Sequence, residues 1–230
     1  MSNNIFERSI GLIGQDNFDK IKSKTICVIG LGGVGGTAFE TLLRSGFEKF
    51  VIIDKDIVSD SNLNRQILFA EQDIGSSKVF SAKKRGELIN KYVNIETIKS
   101  DIKDLQLDKL LIDYRIDFVV DAIDDVPAKI MIAKFCQKCG VNLITSLGMA
   151  NRIDPTKVEV KRLDKTTNDP LAKKMRYEIK KEGLDTSKIM AVCSNEEPKK
   201  DGTNLHSMMM VPSSAGLTIG YYVLKTIIEK

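Results

Sequence analysis

The chain has 230 residues, 42% of them hydrophobic and 29% charged, a balance that suits a folded globular protein and excludes a disordered, collagen-like or repeat architecture. Its net charge of +4 admits a polyanionic partner without requiring one. Four cysteines, Cys27, Cys136, Cys139 and Cys193, are too few and too unevenly spaced for a disulfide scaffold, and the start, MSNNIFERSIGLIG, lacks the pattern of a signal peptide, so a cytoplasmic setting is expected.

Lys24 to Ile29 (KTICVI) is a β-branched apolar run that reads as a buried strand. GLGGVGG follows at once, and then TAFETLLRSG, whose Ala38, Leu42 and Leu43 recur at helical spacing before Gly46. Phe50 to Ile53 is a second strand closing on Asp54, which makes a β-α-β unit and predicts a parallel sheet. The alternation continues with a helix over Lys78–Tyr92, strands over Asn94–Ile98 and Ile116–Val120, a helix over Ala128–Cys139 and a strand over Val141–Ser146. After about residue 150 the texture changes: Val158, Val160 and Leu163 suit a half-exposed strand, and Asp169 and Pro170 open a charge-rich helix that Gly183 stops. Residues 195–209 read as a loop, and a core helix runs from about Ser214 to the end. Its apolar stretch, Ala215–Ile228, is interrupted by Lys225 and is short of the roughly 20 residues that span a bilayer. The expected fold is a single α/β domain over 1–230, Rossmann-like and doubly wound, mainly parallel over 1–150 and antiparallel or mixed over 151–230.

Gly30, Gly32 and Gly35 match G-x-G-x-x-G, with Gly33 and Gly36 beside them. Glycine allows a tight turn and lets phosphate approach a helix N-terminus, where free N–H groups and the dipole favour an anion. Asp54 stands where a carboxylate accepts from ribose hydroxyls. These residues indicate a nucleotide, with NAD the default, and leave its identity open.

The segment Asp54-Lys-Asp-Ile-Val-Ser-Asp-Ser-Asn-Leu-Asn-Arg65-Gln66 narrows the choice, because hydride transfer has no evident use for so polar a run. Together with the glycine loop it resembles the ThiF/MoeB/E1-like superfamily, whose members carry G-x-G-G-x-G, D-x-D-x-V and S-N-x-x-R-Q in that order, bind ATP–Mg²⁺ and adenylate a carboxylate. The resemblance implies that Asp54, with Asp56 of the D-x-D, lies at the nucleotide and that Asp54 holds the ribose. It further implies that Ser61, Asn62 and Arg65 lie along the triphosphate, that Lys78 reaches the phosphates and that Asp124 binds Mg²⁺, with Asp125 near the adenosine. Arg8 resembles an arginine that such proteins insert into the partner subunit's site, which implies a homodimer. The chemistry suits these types: a carboxylate attacking a phosphate brings two anions together, and cations placed beforehand offset the repulsion. Singly, Arg65 and Lys78 could equally be solvated charges, and Asp121, Asp124 or Asp125 helix caps.

Cys136-Gln-Lys-Cys139 has zinc-ligand spacing but no second pair, and core packing of Cys136 is the preferred reading. Residues 146–183 resemble the tRNA threonylcarbamoyladenosine dehydratase group, with D-P-T at 154–156 and K-T-x-x-D-P-x-A at 165–172; V-P-S-S-A-G-L at 211–217 resembles that group's entry to its final helix. The implied reaction is ATP-dependent cyclisation of the threonylcarbamoyl side chain on adenosine 37 of certain tRNAs through an acyl-adenylate, with a sulfur-transfer protein as a conceivable further partner. Cys193 could accept an acyl group but departs from the group's aromatic residue there, so an inert packing thiol is preferred. Lys157, Lys161, Arg162, Lys165, Lys173, Lys174, Arg176, Lys180 and Lys181 form either a phosphate-contacting stripe or a solvated face laced by i,i+4 ion pairs. Rival readings are an adenylyltransferase for a ubiquitin-like sulfur carrier, an NAD-dependent oxidoreductase, and a non-catalytic binding module that has kept the fold.

Overall fold

The computed structural model describes residues 5–199, 202 and 204–229. Its strands are β1 (Thr25–Ile29), β2 (Lys49–Ile53), β3 (Asn94–Ile98), β4 (Phe118–Asp121), β5 (Asn142–Ser146), β6 (Val158–Arg162) and β7 (Met190–Ser194). They form one sheet in the order β3-β2-β1-β4-β5-β7-β6. All pairs are parallel except β6–β7, where Val160 faces Val192 in antiparallel register.

Strands β1, β2 and β4 are near-continuous apolar runs, and β5 is likewise almost wholly buried, because helices cover both faces of the sheet. Ile26 and Val28 point into a core that also contains residues of α2 (Gln15–Ser23), α3 (Gly33–Ser45), α4 (Lys78–Ile89) and α8 (Met210–Ile228). Cys27 and Ile29 point the other way, into a core with α5 (Leu107–Asp113), α6 (Val126–Cys139) and α7 (Pro170–Lys181). The short α1 (Glu7–Ile13) packs on α2, with the Phe6 and Phe18 rings tilted by 46° and their centroids 5.4 Å apart.

Helix α8 lies tight against α3. A Cβ at Gly216 would come within 2.5 Å of Thr37, and one at Gly220 within 2.5 Å of Thr41, so both glycines are needed for the close approach.

Chain order reverses between β1 and β4, which opens a crevice at their carboxyl ends. The architecture agrees with the α/β expectation, including the antiparallel element of the second half. Four elements were not anticipated: α1, α2, α5 and β7. The segment 190–194 is a short run, buried from Ala191 on, whose pattern does not separate strand from loop. Helix α8 begins at Met210, four residues before Ser214, because Pro212 is tolerated in a first turn. Residues 195–209 are neither helix nor strand where described; Lys200, Asp201 and Thr203 lie outside the described residues.

Candidate functional site

The crevice floor is the loop between β1 and α3. Gly30 has a φ of 88°, and a Cβ there would lie 2.9 Å from the Ala122 carbonyl. A Cβ at Gly35 would overlap the carbonyl of Gly30. These two glycines serve the turn and the close helix–strand approach. Gly32 differs: its Cβ would meet only Gln66 Nε2, at 3.9 Å. The space beside it is a cradle that a side chain would fill, and no side chain caps α3. An uncapped helix start with open space before it is an anion site.

Asp54 directly follows β2 and is buried. One oxygen accepts from Leu31 N–H at 2.7 Å and the other from Asp56 N–H at 2.8 Å, so the carboxylate is oriented by the loop it borders. Asp56 in turn receives Lys78 Nζ at 3.1 Å. Lys78 opens α4 with its side chain only 7% exposed, whereas Asp56 is 54% exposed. A buried ammonium with one exposed counter-ion is available to a stronger anion.

The polar run folds into a 3₁₀ turn, Asp60–Asn62, closed by a reciprocal contact in which Asn62 Oδ1 accepts from Ser59 N–H. Ser61 is exposed and Asn62 buried, so Asn62 shapes the turn. Arg65 is held by Ser61 O at 2.6 Å and Asn64 Oδ1 at 2.9 Å, and its backbone and Cγ lie against Gly33. Gln66 Oε1 is buried without a hydrogen-bond partner next to the cradle. A buried orphan acceptor is costly unless a ligand or water serves it.

The opposite wall is the turn after β4. Asp124 is exposed there and has no hydrogen bond or ion pair with any described residue. Asp125 is the N-cap of α6, accepting from Ala128 N–H at 2.8 Å and from Lys103 at 3.0 Å. The Ala128 N–H first, and Lys103 second, hold its carboxyl below the usual range. Lys103 also faces Asp101, which pairs with Lys55 at 2.9 Å, so a surface ladder of charge joins the ends of β2, β3 and β4. Beneath the turn lies a group that sequence reasoning missed. Asp121 and Lys129, both fully buried, pair at 2.9 Å; Thr145 Oγ1 donates to the same carboxylate at 2.6 Å, and Ile123 N–H donates to its other oxygen at 3.3 Å. The turn carrying Asp124 is therefore pinned from both ends.

Further along the same edge, Arg152 is 4% exposed and joins three loops. It donates to the carbonyls of Gly148, Asn168 (3.2 Å) and Glu196 (2.8 Å) and lies 3.8 Å from Asp169. Asn151, at a φ of 61°, clasps the following segment through Lys199, Asn204 and His206, and Asn64 donates to Ser207 O at 2.9 Å. The segment 204–207 thus touches the run that carries Arg65.

Arg8 is exposed on α1 and pairs with nothing described in its own chain. Cys193 is buried in β7, where burial pushes its thiol up to about 11. Cys136 is buried and Cys139 exposed, and among the described residues no cluster of three or more His, Cys, Asp or Glu is arranged to hold a metal.

A model of the ThiF family matches residues 6–227. The chain belongs to the ThiF family. This ThiF-family protein is 32% identical over 242 residues to the tRNA threonylcarbamoyladenosine dehydratase of Bacillus subtilis, across 97% of this chain and 94% of that one. It is 33% identical to the molybdopterin-synthase adenylyltransferase of Haemophilus influenzae over 150 residues, 65% of this chain and 59% of that one. The crystal structure of the Escherichia coli tRNA N6-threonylcarbamoyladenosine dehydratase in complex with ATP matches it at a TM-score of 0.90 and 29% identity, over 97% of this chain and 93% of that one.

Proposed function

We propose that this ThiF-family protein is an ATP-dependent tRNA threonylcarbamoyladenosine dehydratase, working through an acyl-adenylate. The observation that carries the reading is the open cradle at Gly32 with Arg65 alongside, in a chain similar to a dehydratase over nearly its whole length. ATP is consumed here as a substrate. Residues 1–150 hold it, and residues 151–230 of the same domain take the tRNA and complete the dimer. The α3 N-terminus and Lys78 receive phosphate charge, Arg65 and Ser61 line its path, and Asp54 takes the ribose. Two anions meet when the threonine carboxylate attacks the α-phosphorus of ATP and expels pyrophosphate, and preset cations lower that barrier most where water is excluded. The carbamoyl group then closes on the activated carbonyl within one substrate, losing a proton and expelling AMP, so proximity replaces a protein nucleophile.

Mg²⁺ fits the donor set. It takes few protein ligands and prefers hard oxygen, and Asp124 is an unpaired carboxylate at the crevice wall. When bound, the ion neutralises phosphate charge.

A second copy of the chain is the proposed partner. Leu12 is 86% exposed and Leu217 56%, and they border a cavity of about 530 Å³ between α1, α3 and α8. Covering that face brings Arg8 towards a neighbouring copy. The setting is the cytoplasm, where tRNA is modified; no described helix is long and apolar enough to cross a membrane.

The test is to incubate the protein with ATP, Mg²⁺ and tRNA carrying threonylcarbamoyladenosine. One AMP released per water mass lost from the nucleoside is expected. AMP formation only when a sulfur-carrier protein is supplied would replace this reading with the adenylyltransferase one.

A further inference from the structure

Helix α7 runs along the outside of the second core. Ala172, Met175 and Ile179 are its buried positions. At 3.6 residues per turn, Lys180, Lys173, Tyr177, Lys181 and Lys174 fall on the opposite side, within an arc of about 120°. All five are exposed, and Tyr177, at the centre of the arc, is 68% exposed.

The charges on this face have no close counter-ion. Lys174 has Glu178 four residues on, the spacing of a helical ion pair, yet none of the four lysine side chains forms an ion pair or hydrogen bond among the described residues, and only Lys181 acts on a carboxylate at longer range, that of Glu182. Nearby Glu182 is engaged by Lys134 at 2.9 Å. Other basic residues of the same stretch are occupied: Lys161 with Glu159, Arg162 with Asp164, and Arg176 with Thr166. The face thus gathers four of the run's unpaired lysines on one helix side; Lys157 and Lys165, likewise exposed and without an ion pair among the described residues, lie off α7. Its lysines span about 12 Å along the helix at 1.5 Å per residue. Ammonium groups on flexible stems around an exposed aromatic ring suit a phosphate backbone with a base or sugar against the ring. Asp169, the N-cap of α7, bonds Gly148 N–H at 3.0 Å, just past the end of β5, so the helix starts at the crevice edge of the sheet and runs away from it.

We infer that the Lys173–Lys174–Tyr177–Lys180–Lys181 face of α7 is a docking surface for the RNA backbone, holding a stem of the substrate away from the reacting nucleoside. The inference rests on the dehydratase reading. It is tested on the full-length protein with anticodon stem-loop RNA carrying threonylcarbamoyladenosine, with Kd measured by fluorescence anisotropy over a salt series. The variant carries Lys173→Gln, Lys174→Gln, Lys180→Gln and Lys181→Gln, which keeps helix propensity. Each lost phosphate contact lowers the slope of log Kd against log salt by about 0.7–0.9, or about 3 in all. Between about 50 and 200 mM salt the wild type therefore loses about 50-fold more affinity than the variant. Tyr177→Ala weakens binding with an unchanged slope, and ATP binding by calorimetry is the same in all three proteins, which separates RNA contact from folding. An unchanged slope and Kd in the lysine variant overturn this inference alone. Wild type that binds no RNA removes the functional reading and this one with it. Wild type that prefers polyglutamate to the RNA makes an acidic protein the occupant and also overturns it.

Discussion

Replacing Lys129 with methionine tests whether the buried pair beneath the Asp124 turn is as isolated from water as it looks. Asp121 and Lys129 are both 0% exposed and 2.9 Å apart. At an effective dielectric of about 20, two charges at 2.9 Å attract by about 6 kcal/mol. Removing both charges from water costs several kcal/mol per ion, so the pair as a whole contributes little net stability. Removing one partner is different. Methionine fills the same space, but Asp121 keeps only the Thr145 hydroxyl and the Ile123 N–H, and its charge stays uncompensated. A loss of about 3–5 kcal/mol is expected, a large part of the roughly 5–15 kcal/mol that holds a domain folded. Urea unfolding at neutral pH measures it, with an unchanged m-value showing that the same surface is exposed. The double variant Asp121→Asn with Lys129→Met recovers at least half the loss, because the unpaired charge has gone. A single-variant loss below about 1 kcal/mol, or a double variant no more stable than the single, would refute the account of a dry, mutually dependent pair.

Further outcomes are expected. Arg65→Ala abolishes turnover, while Cys193→Ala keeps most of it, since a thiol pushed up to about 11 is not a thiolate at neutral pH; equal losses in the two variants would contradict the assignment. A thiol-reactive chromogen labels Cys139 in the native protein and reaches Cys27, Cys136 and Cys193 only on unfolding, because only Cys139 is exposed. Gly35→Ala forces the start of α3 off the Gly30 carbonyl, costing about 1–3 kcal/mol and the rise in Tm that ATP confers; a full ATP shift in the variant would count against the cradle. Glu40 gives a pH signature. Burial pushes its carboxyl up, but hydrogen bonds from Arg85 and Arg44 outweigh burial and hold it below the ordinary 4.5. A depressed folded value means stability that is present above about 4.5 and lost as pH falls through that lower value. Glu40→Gln is therefore less stable by about 1–2 kcal/mol near neutral pH, and the gap closes in acid; thermal melts across pH check it, and a pH-independent gap would be evidence against the ion cluster.

Much of the parallel half was legible because its signals are local. Thr25–Ile29, the glycines and Asp54 lie within one short stretch, and each obeys a spacing rule that neighbouring residues reveal. Arg65 is legible as a candidate site residue only through the ordered motifs around it, since on its own it is an arginine on a polar turn. What escaped the sequence depends on distant or patternless partners. Arg152 binds backbone carbonyls, which any residue offers. Lys129 meets Thr145 sixteen positions on, and Arg85 reaches Glu40 across 45. Asp125 takes the helix-cap role that its type and position offered from the start, and the sequence alone could not choose it over Asp121 or Asp124. The lysines of α7 were visible as a run, but which of them are free of counter-charges depends on tertiary neighbours such as Lys134.

The seating of α8 on α3 through Gly216 and Gly220 has a consequence for biosynthesis. During translation the glycine loop leaves the ribosome early, yet the helix it opens lacks its α8 partner, which covers Thr37 and Thr41, until residues 210–228 emerge. A nascent chain stopped short of that point would possess the nucleotide motifs and still expose the sticky surface that chaperones and proteases recognise. Closure of the α3 flank thus waits on residues synthesised long after the glycine loop that opens the helix.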